Sequence, residues 1–424
     1  MRFRTSILLG SVLAAVLIAA GGTASAAEPA RSELNINYNT DEIGPPDANL
    51  NSLDLYLPAV SGERGSSLAP LVVWVHGGGF MTGDKLNRIP NKARLFNDLG
   101  YVFASINYRL SPDISGNCCD FDPFRVRAPD HISDLAEAIG WLSRHAASYG
   151  GDPDRIVLIG HSAGAQLVSL AGTSPAWIRG GQASPKQVLG VVSLDTDTFD
   201  VAAEAADSSP LQARMLAWNA FGTPEEEAVE PRWDRMSPIL HADPTDPEFL
   251  FVTQSTKPGR MAANQGMATK LGQDPATSVV GVPYDHETIN TMLGSPNDSS
   301  VETARVSEFV QSAVADAEPA GVRFTKRPAG RVMVKVKRRA TRKATRKALR
   351  RAVRKVTFRF AGTGRASGFQ CRIDGKPFST CRSPRSYRLK AGKHAFRVRP
   401  LYPSGRPGKE RRISFRIVAR RSRH

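Results

Sequence analysis

Ile156-Val157-Leu158-Ile159-Gly160-His161-Ser162-Ala163-Gly164-Ala165-Gln166-Leu167 is the stretch on which the fold turns. Its first four residues form an apolar run that predicts a buried strand, and Ala165-Gln166-Leu167 predicts the start of a helix. Between them Gly160, Ser162 and Gly164 make a GxSxG pattern. Its glycines permit a cramped turn that lifts the serine hydroxyl clear of the backbone. Strand, tight turn and helix in this order belong to a mostly parallel sheet covered by helices, an α/β fold.

The same alternation extends on both sides. Strands are expected at Leu53–Leu57, Leu71–Val75, Val102–Asn107, Arg155–Ile159, Val188–Leu194, Phe249–Thr253 and Ser278–Val282. Ile132, Leu135, Ile139 and Leu142 recur at helical spacing within Pro129–Tyr149, and further helices are expected at Ser162–Ala171 and Val301–Ala315. Residues 198–240 interrupt the alternation with an acidic, proline-punctuated, helix-prone stretch. As an insertion between late strands, it is expected above the carboxyl edge of the sheet, where ligands bind in such folds.

His76-Gly77-Gly78-Gly79-Phe80 directly follows the second expected strand. Glycines there allow backbone N–H groups to approach a developing oxyanion. A serine needs a base. His286, after the last strand, is the candidate, because His241 precedes a strand and falls at the wrong end of the sheet. His161 is expected to support the turn, and His76, His131 and His145 to be structural. The orienting acid is less direct: the loop after Phe249–Thr253, Gln254 to Arg260, has no carboxylate. Asp195, after Val188–Leu194, is the first choice, Asp197 the second, with Asp200 or no acid behind them. Asp285 and Glu287 are too close to His286 along the chain, and Asp130 and Asp134 open a helix elsewhere.

Charge divides the chain. Its 424 residues carry a net +17, yet residues 321–424 hold 35 Lys and Arg against Asp374 and Glu410, a net +33, which leaves −16 for residues 1–320. The global excess of base alone would suggest a nucleic-acid binder; the division describes an acidic body with a basic extension. Residues 318–355 are read as a basic linker, and 356–419, with alternation at Val356–Phe360, His394–Val398 and Ile413–Ile417, as a small β-sandwich. Arg2, Arg4, the apolar run Ile7–Ala20 and Ala24-Ser25-Ala26 read as a signal peptide over 1–26, so the protein is expected to be secreted or cell-wall associated. No transmembrane segment is expected after cleavage. A bridge between Cys371 and Cys381 suits a hairpin; Cys118 and Cys119 are adjacent, and their redox state stays open.

The segment Leu53–Gly294 resembles the α/β-hydrolase superfamily, in the esterase/lipase branch related to hormone-sensitive lipase and to bacterial acetyl and feruloyl esterases. The resemblance rests on Leu53-Asp54-Leu55-Tyr56-Leu57-Pro58, HGGGF, Asn107-Tyr108-Arg109-Leu110-Ser111, Tyr149-Gly150-Gly151-Asp152-Pro153 and GHSAG, in that order. It implies a catalytic domain over 33–317 that hydrolyses esters through Ser162, His286 and an acid. Oxyanion donors would come from Gly78, Gly79 and Ala163, with no metal or cofactor. The missing carboxylate after Phe249–Thr253 departs from the pattern; pancreatic-type lipases are similar in placing the acid in a Leu-Asp pair like Leu194-Asp195. Phe369–Gly375, Cys381–Pro384 and Leu389–Arg399 look like the small immunoglobulin-like repeats of secreted bacterial proteins. The expected substrate is a small-molecule or polysaccharide-linked ester. Anionic polymer is a further partner of residues 321–424; nucleic acid is not expected, since aromatics are not arranged for stacking. Two alternatives stay open: an arylformamidase-like amide hydrolase, and an inactive hydrolase-like protein that binds anionic cell-wall polymer through its tail.

Overall fold

A computed structural model describes residues 31–39, 50–59, 68–114, 121–206, 211–315, 317, 319–336, 341–351, 353–403, 405 and 407–421. Residues 1–26, read above as a signal peptide, and Cys118 and Cys119 lie outside the described residues.

Eight strands form the first sheet: β1 (Arg31–Asn37), β2 (Ser52–Leu57), β3 (Ala69–Val75), β4 (Val102–Ile106), β5 (Gly151–His161), β6 (Val188–Leu194), β7 (Glu248–Gln254) and β8 (Val279–Val282). They lie in the order β1-β2-β4-β3-β5-β6-β7-β8. The β1–β2 and β2–β4 pairs are antiparallel, and every later neighbour is parallel. Strands β3 to β6 read as continuous apolar runs because both faces are covered, as a helix-flanked parallel sheet requires. One face packs Val73, Val75, Ile156, Leu158 and Val191 against the helices Asp130–His145 and Ala163–Thr173. The other packs Val72, Trp74, Val157, Ile159 and Val192 against Ile89–Asp98 and Glu302–Ala315. The α/β-hydrolase topology follows from these residues. β1, which the periodicity did not single out, adds an antiparallel edge.

The 198–240 insertion holds five short helices between β6 and β7: Val201–Ala206, Leu211–Phe221, Pro224–Val229, Trp233–Met236 and Pro238–His241. Arg125, buried, clamps Glu226 with two hydrogen bonds of 2.9 and 2.8 Å and also donates to the carbonyls of Trp218 and Asn219. This paired, multiply bonded guanidinium fixes the insertion over the sheet edge.

The C-terminal region has eight more strands: β9 (Gly321–Lys326), β10 (Arg331–Val336), β11 (Val353–Thr363), β12 (Gly368–Ile373), β13 (Ser379–Thr380), β14 (Arg385–Lys390), β15 (Gly392–Leu401) and β16 (Arg411–Arg421). They form a three-stranded sheet β14-β11-β9 and a five-stranded sheet β10-β16-β15-β12-β13. Phe358 of one sheet stacks on Phe396 of the other, with ring centroids 3.9 Å apart, and Phe415 meets Phe358 at 5.7 Å. Cys371 and Cys381 are bridged, as expected. The linker reading of 318–355 is corrected here. β9 pairs with β11 and β10 pairs in parallel with β16, so this segment supplies two strands and the helix Arg342–Arg351. The reason is that Val322 and Val334 are buried in the C-terminal core while the bases beside them point outward; charge density masked a two-residue alternation.

Candidate active site

Ser162 stands between β5 and the helix Ala163–Thr173 with φ 55° and ψ −120°, a conformation that non-glycine residues rarely hold unless neighbours enforce it. The Ser162 N–H donates to the Leu194 carbonyl at 2.9 Å, and the Ser162 carbonyl accepts from Ala165 and Gln166. A Cβ at Gly164 would collide with the carbonyls of Val75 and His76, so this glycine lets the turn lie against the end of β3. That contact brings the HGGGF loop beside the serine. Gly78 has φ +118°, and a Cβ there would strike the Thr82 carbonyl. Gly79 and Ala163 line the same cavity as Ser162, and Gly78 lies next to them in the loop.

The structure brings Ser162, His286 and Asp195 together from positions far apart in the chain. Ser162 Oγ lies 2.9 Å from His286 Nε2, and His286 Nδ1 lies 2.6 Å from Asp195 Oδ2. His286 opens the helix His286–Met292 after β8; Asp285 caps that helix by accepting from the Thr288 N–H at 2.8 Å. Asp195 follows β6, is fully buried, and has φ 53°. Its carboxylate accepts from Thr253 Oγ1 at 2.8 Å, the Gln254 N–H at 3.0 Å, Gln254 Nε2 at 2.7 Å and Arg260 Nη1 at 2.7 Å. Burial works against its ionisation. The hydrogen bond with His286, the Arg260 charge and the bonds from Gln254 and Thr253 outweigh that, and hold the carboxyl well below the usual carboxylate range. The end of β7 and the helix after it therefore supply donors to the acid and not the acid itself.

Asp197 does not reach His286; its Oδ2 accepts from Arg260 Nε at 3.2 Å. Asp200 accepts from the Ala203 N–H at the start of a helix. Asp134 and Asp130 hold Arg109. Among the histidines, His161 Nε2 lies 2.9 Å from the backbone carbonyl of His286, with the two ring centroids 4.6 Å apart. Burial, followed by the charge His286 can carry, pushes His161 down to about 3, so its neutral ring donates that bond. It thus supports the base's backbone as well as the turn. His76 stacks on Tyr108, His131 meets Ser111 Oγ at 3.1 Å, and His145 stacks on Trp141. His241 is within 3.2 Å of the Arg235 carbonyl and does not line the cavity.

Arg260 was not among the expected site residues. Besides Asp195 and Asp197, its Nη1 lies 3.2 Å from His286 Nδ1, so one guanidinium spans the acid and the base. No spacing in the sequence announces this, because the partners are separated by 26 to 65 residues. The cavity, about 210 Å³, has an apolar wall of Phe80, Leu216 and Phe221 and a polar wall of Thr196, Asp197 and Thr198. A larger cavity of about 490 Å³ opens near the start of β7, between Glu248, Gln273 and Arg305, but no histidine lines it.

A family model described as BD-FAE matches residues 53–266. The phenmedipham hydrolase of Pseudarthrobacter oxydans is 31% identical over 196 residues, 45% of this chain and 35% of that protein. A probable carboxylic ester hydrolase of Mycobacterium tuberculosis, LipM, is 37% identical over 107 residues, 25% of this chain and 22% of that protein. The matched stretches span 22% and 35% of these relatives' own lengths. Among solved structures, esterase B of Lactobacillus rhamnosis is similar with a TM-score of 0.48 and 20% identity, over 68% of this chain and 86% of that one.

Proposed function

The chain belongs to the BD-FAE family, an α/β-hydrolase esterase family, and from that premise we propose that it is a carboxylesterase working through a serine acyl-enzyme. The observation that carries the reading is the continuous relay of 2.9 Å from Ser162 Oγ to His286 Nε2 and 2.6 Å from His286 Nδ1 to Asp195. His286 takes the proton of Ser162 as the hydroxyl attacks the ester carbonyl. Backbone N–H groups of Gly78, Gly79 and Ala163 receive the oxyanion, an interaction for which one lost donor typically costs about 3–4 kcal/mol. His286 then protonates the leaving alcohol, and water, activated by the same imidazole, releases the acid. Asp195 stays ionised throughout and stabilises the imidazolium. A small cavity with one apolar and one polar wall suits a short acyl group and a hydroxylated alcohol.

The test is hydrolysis of p-nitrophenyl acetate and butyrate together with labelling by a fluorophosphonate. Ser162→Ala is expected to abolish labelling and lower kcat by about 10⁴-fold or more. Asp195→Asn is expected to lower kcat by about 10²- to 10⁴-fold, and Asp197→Asn to stay within about threefold of wild type. Labelling that persists in Ser162→Ala, or equal rates for the two aspartate variants, would overturn the assignment.

A further inference from the structure

We propose that the C-terminal region binds a base-free phosphodiester polymer, one built of polyols or sugars, in a cationic cavity at the seam of its two sheets. The site is separate from Ser162 and does not depend on the chemistry there. An open cavity of about 360 Å³ is lined by Arg323, Phe324, Thr325, Lys326, Arg327 and Arg411. Arg323 to Lys326 belong to β9 of the three-stranded sheet, and Arg411 opens β16 of the five-stranded sheet. Two sheets thus converge four cations on one concave space that no carboxylate lines.

The charge continues over the outer face of the three-stranded sheet. Along β11, Val356, Phe358 and Phe360 turn inward, while Lys355 and Arg359 are exposed. The register sets Arg359 opposite Lys326 and Lys355 opposite Arg388. Like charges directly opposite across neighbouring strands destabilise a sheet. Here none of these side chains pairs with a described carboxylate. The region's two acids are engaged elsewhere: Asp374 with His394, and Glu410 with Arg372 and Arg397 on the five-stranded sheet. A bound polyanion removes that repulsion, and a track running from a cavity across three strands fits a chain better than a single small anion.

The chemistry of the lining narrows the partner. Three of the four converging cations are arginines, whose planar fork matches phosphate oxygens two at a time. The one aromatic in the lining, Phe324, is committed to the core, packing edge-on against Phe360 and Phe396. Among the described residues of the lining no other ring is offered as a stacking platform, so unpaired bases have nothing to lie on.

Binding of poly(glycerol phosphate) to the full chain, measured by calorimetry between about 50 and 200 mM salt, tests this. Single-stranded DNA and polygalacturonate of matched charge serve as competitors. Four phosphate contacts predict a slope of log affinity on log salt of about −3. The triple variant Arg323→Glu/Lys326→Glu/Arg411→Glu is expected to weaken binding at least about tenfold. Arg342→Glu/Lys343→Glu/Arg346→Glu, with the same charge change in the neighbouring exposed helix, is expected to weaken it less than about threefold. The milder Arg323→Gln/Arg411→Gln variant, expected to lose about threefold, guards against misfolding of the first. Equal losses in the two charge-reversed proteins would show net charge and not a site. Tighter binding to DNA or polygalacturonate, or no binding at all, would equally overturn the proposal.

Discussion

Arg260 changes how the relay at Ser162 works. In a buried relay the acid must stay ionised and must not rotate, and Asp195 meets both needs through five hydrogen bonds from four residues on one carboxylate. Arg260 contributes a charge to that carboxylate at 2.7 Å and also stands 3.2 Å from the imidazole Nδ1. Arg260→Gln is therefore expected to lower kcat by roughly ten- to a hundredfold through loss of acid placement. Arg260→Lys should restore only part of that loss, because an ammonium lacks the planar fork by which Arg260 holds Asp195 through Nη1 and Asp197 through Nε. A kcat unchanged in Arg260→Gln would reduce the residue to a scaffold contact.

At the scale of elements, the helix Leu211–Phe221 supplies part of the apolar wall of the cavity beside Ser162. It brings Leu216 and Phe221 over the HGGGF loop, and Phe221 packs edge-on against Phe80 at 5.1 Å, so the apolar wall is built by an insertion resting on a loop. Phe221 is buried and structural; Leu216 is only half-buried and closes the space beside Gly79. Leu216→Ala should lengthen the acyl pocket and raise the hexanoate-to-acetate ratio of kcat/KM by roughly tenfold, the scale of one or two methylenes in an apolar pocket. A ratio that does not move would assign chain-length selection to another wall. The β region teaches a related point about elements. Val332-Met333-Val334-Lys335-Val336 carries the alternation of a strand, and β10 forms from it, but the pattern is legible only once the bases are discounted as outward-facing.

Across the whole molecule, stability depends on a buried polar cluster behind the sheet. Lys92, from the helix after β3, donates to the Asn290 carbonyl at 2.6 Å and lies 4.5 Å from the Trp74 ring. Glu302, which opens the helix Glu302–Ala315, is fully buried nearby, and neither carboxyl oxygen has a hydrogen-bond partner among the described residues. Burial, with Asp298 adding to it and Lys92 opposing, pushes the Glu302 carboxyl up to about 9; burial takes Lys92 down to about 7. An acid with a raised folded-state pKa keeps its proton after the unfolded chain has lost it, so stability falls as pH rises above the ordinary glutamate value. Lys92 acts with the opposite sign, but only above about 7, which leaves the Glu302 effect unopposed between about 4.5 and 7. Glu302→Gln removes it. The melting temperature of that variant should gain on wild type from pH 5 to pH 7, by at most about 1.4 kcal/mol of stability per pH unit. A gap between the two proteins that stays constant over that range would mean that Glu302 ionises normally.

Much of the sheet and the three residues of the relay could be read from the chain because each has a local cause. β6 spans Val188–Leu194 as its apolar run predicts, and Ser162 stands at a strand end because only a glycine-flanked turn can hold its backbone there. Asp195 was reachable by elimination, since the loop after β7 has no carboxylate. The tertiary structure alone decided the rest. Arg260, Thr253 and Gln254 converge on Asp195 across 58 to 65 residues, and His161 holds a carbonyl 125 residues away. Four cations from two sheets meet in one cavity for the same reason. Periodicity and turn chemistry report what a residue does to its own backbone and which face it presents. Contacts set by strand order and sheet packing join segments with no shared local pattern, so they exist only once the chain has folded.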